Sequence, residues 1–209
     1  MKNPAYTRVL RIAEDIKAMR IRGAGEIARS AVEALLITAE NSKASNTKEF
    51  VEEIEETART MMRTRPTAVS LPNGIRYVIH RVREGNLSGQ TLEALKETSA
   101  KACHEFIENS KTAIERIGEI GARRILDGDT LMTHCDSSAA LKVIETAWKK
   151  GKKLKVYVTE TRPRFQGRIT ADRLGQMGIP VIMIIDSAVR HFMNQVDRVI
   201  VGADAVSAN

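Results

Sequence analysis

The stretch from Gly128 to Lys142, GDTLMTHCDSSAALK, sets Cys135 between His134 and Asp136. A short apolar run precedes the thiol, and Ser137 and Ser138 follow it where a helix would begin. A cysteine at such a junction is placed to serve as a nucleophile or base when its surroundings favour the thiolate. The amides of a starting helix, next to Ser137 and Ser138, form a natural position for a phosphate. Three later apolar runs end in residues of similar capability. KLKVYVTE leads into Glu160, Thr161 and Arg162, PVIMIIDS into Asp186, and DRVIVGAD into Asp204. Each has a plain alternative: a cysteine as core filling, an aspartate as a helix cap, an arginine as surface charge. Their common place at the ends of successive apolar runs favours chemistry. Cys103, inside a helical pattern, reads as packing.

Two glycine- or proline-bearing stretches are ambiguous on spacing alone. RIRGAGEIARSA carries Arg22 and Gly23 just before a helix, either as a helix–helix turn or as a backbone nest with a cation for an anion. RTRPTAV sets Arg65 beside Pro66, a stiff corner or a phosphate clamp. Neither is a GxGxxG or a P-loop, so nucleotide fingerprints are absent. His80, His104, His134 and His191 show no HExxH or Cys/His ligand spacing, so no metal site is expected. Two cysteines without a CxxC do not make a disulfide framework, and a reducing cytoplasm is the expected setting.

The elements that must position these groups divide by periodicity. Up to residue 126 the pattern is helical. Val9, Ile12, Ala13, Ile16 and Met19 mark one helix face, and Ile27, Ala31 and Leu35 a second. Asn46 followed by Glu49 resembles a capping box for a third. Pro66, Pro72 and Asn73–Gly74 interrupt the pattern, with a shorter helix around Ile75, Val78, Ile79 and Val82. A long helix carries Leu92 through Ile117. From Asp127 the four Val- and Ile-rich runs alternate with helix-sized segments at Ser138–Lys150, Thr170–Met177 and, shorter, Ser187–Asn194. That alternation predicts a parallel α/β sheet with helices on both faces. In such a sheet ligands bind outside the carboxyl ends of the strands, where Cys135, the Glu160–Thr161–Arg162 trio, Asp186 and Asp204 all fall.

The chain has 209 residues, a net charge of +7, 43% hydrophobic and 4% aromatic residues. No apolar run approaches the ~20 residues of a membrane span. A basic chain invites nucleic acid as a partner, but so few aromatics leave few stacking platforms. A phosphorylated small substrate or a solvated basic surface accounts for the charge.

RGAGEIARSA, TRPTAVSLPNGIRYV, MTHCDSSAAL, VTETRPRFQG, GIPVIMIIDSA and VIVGADAV together resemble the family uniting the translation initiation factor 2B alpha, beta and delta subunits with sugar-phosphate isomerases. The likeness is nearest its archaeal ribose 1,5-bisphosphate isomerase branch, with methylthioribose-1-phosphate isomerases more distant. The resemblance implies an α/β protein with an N-terminal all-helical domain, 1–126, and a Rossmann-like parallel-sheet domain, 127–209, incomplete here. It implies a catalytic Cys135 and Asp204, a pair that the regulatory subunits generally lack. It also implies substrate contacts from Arg22, Gly23, Arg65, Ser137, Arg162, Gln166 and Gly167. The activity implied is conversion of ribose 1,5-bisphosphate to ribulose 1,5-bisphosphate in nucleoside monophosphate salvage, without metal or organic cofactor, by a dimer-based hexamer. A regulatory initiation-factor subunit is the other reading. The family continues well past GADAVSAN, so the chain is expected to be C-terminally shortened, with an uncovered last strand and no activity of its own.

Overall fold

The computed structural model describes residues 4–66, 69–204 and 206. These form two compact units that divide within one long helix, 112–203 making up the second and the remaining described residues the first.

In the first unit α1 (Pro4–Lys17) buries Val9, Ala13 and Ile16. Met19, expected on the same face, lies past the helix end at φ 59°. α2 (Ala24–Glu40) is buried on most of its surface, with Ala28, Ala31 and Ala34 beside Ile27 and Leu35. Those small side chains let α1, α3 and α4 all pack against it. α3 (Thr47–Met62) starts at Asn46, whose Oδ1 accepts the Glu49 N–H at 3.0 Å. The Glu49 carboxylate reaches back to the N–H and hydroxyl of Ser45, both at 2.8 Å, one residue earlier than in a strict capping box.

α4 (Ser70–Leu87) is longer than the periodicity predicts. Pro72 sits in its first turn, where a missing N–H breaks no helical bond. Gly74 is a contact rather than a turn: a Cβ there would lie 2.9 Å from Phe106 Cζ and 3.1 Å from Val32 Cγ2. α5 (Leu92–Ala122) spans 31 residues. Its last turns belong to the second unit, because Gly118 and Gly121 bring its backbone onto α6. Cβ atoms there would lie 2.7 Å from Lys142 Cγ and 2.5 Å from Val143 Cγ2. The compact units divide between Lys111 and Thr112. Periodicity registers where a helix ends, not what its last turns touch.

The second unit continues with β1 (Thr130–Thr133), α6 (Ser138–Lys149), β2 (Lys155–Thr159), α7 (Gln166–Gln176), β3 (Val181–Ile184), α8 (Val189–Phe192, between two 3-10 turns) and β4 (Arg198–Val199). All pairings are parallel, in the order β3-β2-β1-β4. The strand alternation separates two cores. Leu131, Val156 and Val158 pack with Ile144 of α6 and Leu174 of α7. Met132, Tyr157 and Ile184 pack with Val189 and Phe192. Val199, paired with Met132, and Val201 beyond the pairing are 53% and 58% exposed. Among the described residues no helix is long and apolar enough to cross a membrane.

Candidate active site

The chain enters the sheet at β1, adds β2 and β3 on one side, then returns to place β4 on the other. The crossovers from β1 to β2 and from β3 to β4 thus run in opposite directions across the sheet. The carboxyl ends of β1 and β4 flank the topological switch point, where doubly wound sheets bind ligands. Cys135 lies two residues beyond β1. Gly202 lies three beyond β4, and a Cβ on it would come within 2.4 Å of Ser137 Oγ. Only a glycine lets these two strand exits approach so closely.

Cys135 has φ 67°, in the left-handed region, and so do Thr161 at 59° and Phe165 at 55°. Each conformation costs a non-glycine residue about 1–2 kcal/mol. Thr161 is β-branched, which makes it a stronger outlier. The two strained turns hold each other. The Cys135 N–H donates to Thr161 Oγ1 at 2.9 Å, and Thr170 Oγ1 donates to the Cys135 carbonyl at 2.8 Å. Asp186, at the end of β3, accepts the N–H groups of Thr161 and Arg162 at 2.8 and 2.7 Å. These bonds, that of Arg162 foremost, hold the Asp186 carboxyl below its ordinary range, although burial opposes them. His134 Nδ1 lies 2.6 Å from Thr159 Oγ1. Arg173 binds Asp136 at 3.1 Å, fixing the residue after the thiol.

Ser137 is the N-cap of α6, its Oγ accepting the Ala140 N–H at 3.3 Å. The N–H groups of Ser138 and Ala139 have no partner within the helix, as is general for the first amides of a helix. Arg162 Nε donates to the buried Glu160 at 2.7 Å, which raises the guanidinium pKa further. Its guanidinium lies 5.7 Å from the Phe165 ring centre, and that of Arg168 4.3 Å. Gln166 opens α7. Gly167 is required there, because a Cβ would lie 1.7 Å from the Thr159 carbonyl oxygen.

Cys135, Ser137, Arg162, Gln166 and Gly167 therefore gather at the carboxyl end of one sheet. Arg22, Gly23 and Arg65 belong to the first unit, as does the exposed Asp204 by its contacts. Arg22 Nε donates to the Met19 carbonyl at 2.6 Å, and Gly23 at φ 81° precedes α2. Arg65 is half-buried in the segment after α3. Ser70 Oγ donates to the Ala24 carbonyl at 2.7 Å, tying the start of α4 to that of α2. Thr67 and Ala68 of the TRPTAV stretch lie outside the described residues. Sequence reasoning missed Thr170, and named His134 and Asp136 only as the neighbours of Cys135. Thr170 sits one helical turn beyond Gln166, a spacing with no signature of its own. Among the described residues no three His, Cys, Asp or Glu side chains gather as a metal would need.

Residues 20–209 match the Initiation factor 2 subunit family. The chain belongs to that family. It is 56% identical over 201 residues to a ribose 1,5-bisphosphate isomerase of Thermococcus kodakarensis, covering 96% of this chain and 62% of that protein. The chain thus spans less than two-thirds of that relative's length. Among solved structures of similar fold, a 5-methylthioribose 1-phosphate isomerase of Pyrococcus horikoshii matches with a TM-score of 0.81 at 30% identity, over 97% of this chain and 59% of that one. A translation initiation factor eIF-2B of the same organism also gives 0.81 at 30%, over 95% and 67%. Because the similar proteins include both isomerases and an initiation factor, the likeness leaves the activity to the residues of the site.

Proposed function

We propose that this chain serves an aldose–ketose isomerase that converts ribose 1,5-bisphosphate to ribulose 1,5-bisphosphate, with Cys135 and Asp204 as its proton carriers. The observation that carries the reading is Cys135 itself. A thiol in a strained backbone conformation, outside the strand end beside the switch point, is tied into a hydrogen-bonded corner that reaches β2, β3 and α7. Strain of this kind is kept where surrounding structure imposes it, and it concentrates at functional sites. The 56% identity to a protein named for this reaction supplies the substrate.

The chemistry calls for two proton carriers. In ribose 1,5-bisphosphate the C1 oxygen is phosphorylated, so ring opening cannot release a free aldehyde. A protonated Asp204 gives its proton to the ring oxygen as the bond from that oxygen to C1 breaks. The Cys135 thiolate takes the C2 proton, forming an enol whose double bond joins C1 and C2. The Asp204 carboxylate then recovers a proton from the C2 hydroxyl while Cys135 returns its proton to C1. Oxidation at C2 balances reduction at C1, and both residues regain their starting states. In this reading Ser137, Arg162, Gln166 and Gly167 receive phosphate oxygens from β1–α6 and β2–α7, and Arg162 exchanges Glu160 for the substrate. Arg22, Gly23 and Arg65 are phosphate contacts carried over from the family pattern. A dimer-based hexamer in the cytoplasm, acting in nucleoside monophosphate salvage, belongs to the same proposal.

The likeness to a translation initiation factor supports a second reading, a regulatory subunit that needs neither the thiol nor Asp204. An isomerase assay with ribose 1,5-bisphosphate separates the two, run on this chain and on the protein at the length of its relatives. Cys135→Ser is expected to abolish turnover, serine being a far weaker base. Cys103→Ser should stay active, since burial pushes that thiol up to about 12 and leaves it inert. Turnover by Cys135→Ser at the wild-type rate would remove the proposed chemistry. Association with an initiation factor without turnover would favour the regulatory subunit.

A further inference from the structure

We infer that Thr161 is a positioning residue for Cys135, its hydroxyl holding the thiol-bearing residue in the left-handed conformation. The inference rests on the proposed role of Cys135 and goes beyond it, because Thr161 touches no reacting atom. Three observations carry it. Thr161 is buried, at 7% exposure, so its hydroxyl has little competition from water. The hydroxyl accepts the Cys135 N–H at 2.9 Å, and its own proton has the Thr159 carbonyl at 3.3 Å and the Thr159 hydroxyl at 3.4 Å beside it, which leaves a lone pair for Cys135. Thr161 is itself held at φ 59°, an unfavourable conformation for a β-branched residue, and Asp186 accepts its N–H at 2.8 Å. A side chain without a hydrogen-bonding role would not account for a threonine at that backbone geometry. The line runs from the end of β3 through Asp186 to Thr161, and from there to the residue after β1 that bears the thiol. Thr170, donating to the Cys135 carbonyl, holds the next peptide plane, so the planes on both sides of the Cys135 Cα are tied down.

Thr161→Val and Thr161→Ser test this. Valine matches threonine in shape and is equally β-branched, so backbone strain stays while the acceptor is lost; serine keeps the acceptor. Amide exchange at Cys135 should be about ten- to hundredfold faster in Thr161→Val, the range expected when a part-buried N–H loses its partner. Exchange at Leu131 and Val158, within the paired strands, should stay at the wild-type rate, which shows that the sheet is intact. Turnover of ribose 1,5-bisphosphate should fall about tenfold or more with KM unchanged, as for a defect confined to the chemical step. Thr161→Ser should restore both readouts. Wild-type exchange at Cys135 in the valine variant would overturn the inference. So would a serine variant as impaired as the valine one, since the methyl group would then be what matters. An active Cys135→Ser control would instead defeat the reading of the thiol, whatever Thr161 does, and exchange at Cys135 would still test the hydrogen bond alone.

Discussion

Gly167→Ala probes how the site is held to the sheet. A Cβ at 167 would sit 1.7 Å from the Thr159 carbonyl oxygen, 2.8 Å from its carbon and 3.2 Å from the Glu160 carbonyl carbon. Every one of these neighbours is backbone, so no side chain can rotate away. Reaching ordinary contact near 3.4 Å requires α7 and β2 to part by about 1.7 Å. β2 is paired on both sides, to β1 and to β3, so α7 has to move. Its displacement would carry Gln166 and Phe165 with it and draw Thr170 off the Cys135 carbonyl. Overpacking commonly costs about 1–3 kcal/mol, and a clash confined to backbone belongs at or above the top of that range. Trp148 is the single tryptophan, and its Nε1 donates to the carbonyl of Met177, which caps α7, at 3.0 Å. Its fluorescence during urea unfolding therefore reports on α7. The expected result is a loss of about 3 kcal/mol with substrate binding weakened. Gly175→Ala in the same helix is the control: nothing lies within 4 Å of a Cβ there. It should be neutral or stabilising by up to about 1 kcal/mol. Equal unfolding midpoints for Gly167→Ala and the wild type would refute the account of why glycine stands at 167.

Two further outcomes follow from the same geometry. Asp186 has its carboxyl held below the usual range by the Arg162 and Thr161 N–H groups, so its contribution to stability is complete above the unfolded value near 3.9. That contribution disappears as pH falls through the lower folded value; unfolding of wild type and Asp186→Asn between pH 7 and 2 should differ most at neutral pH and converge in acid, and a constant difference would contradict the linkage. Asn46→Ala removes the N-cap of α3 and should cost about 1 kcal/mol in unfolding followed by far-UV circular dichroism, and no change would assign the capping to the Glu49–Ser45 contacts alone.

The alternating half of the chain was legible because parallel strands leave short unbroken apolar runs and the helices between them leave polar gaps; β1 and β2 are buried almost throughout, and β3 and β4 keep apolar side chains that are exposed. Each of the four runs holds a strand. The helical half was legible wherever one face is apolar, and misleading at Pro72 and Gly74. There proline and glycine do the work of a first helical turn and a close approach to Phe106 rather than of a break. The last helical segment before β4 was expected as one helix and is a four-residue α8 between 3-10 turns. Eight residues with Phe192 and Val189 turned inward give too little periodicity to separate the two forms.

What the sequence does not carry at the site is backbone conformation. A cysteine after a strand and a threonine after the next look the same whether their φ angles are negative or positive. Asn or Gly would have betrayed the left-handed region, but Cys135, Thr161 and Phe165 occupy it without that signal. Local preference opposes all three, so their conformations have to be imposed from outside: by Asp186 on Thr161, by Thr161 and Thr170 on Cys135, and by the start of α7 on Phe165. The partners come from three separate stretches of chain, and none lies closer than 26 residues to Cys135. Only the parallel order β3-β2-β1 brings those stretches side by side. A corner assembled this way cannot form before the sheet does. The thiol geometry should therefore appear with global folding of the second unit rather than with α6, the helix nearest to it in sequence. A peptide spanning β1 and α6 alone would lack every group that holds Cys135 at positive φ, and its cysteine would relax to the ordinary region.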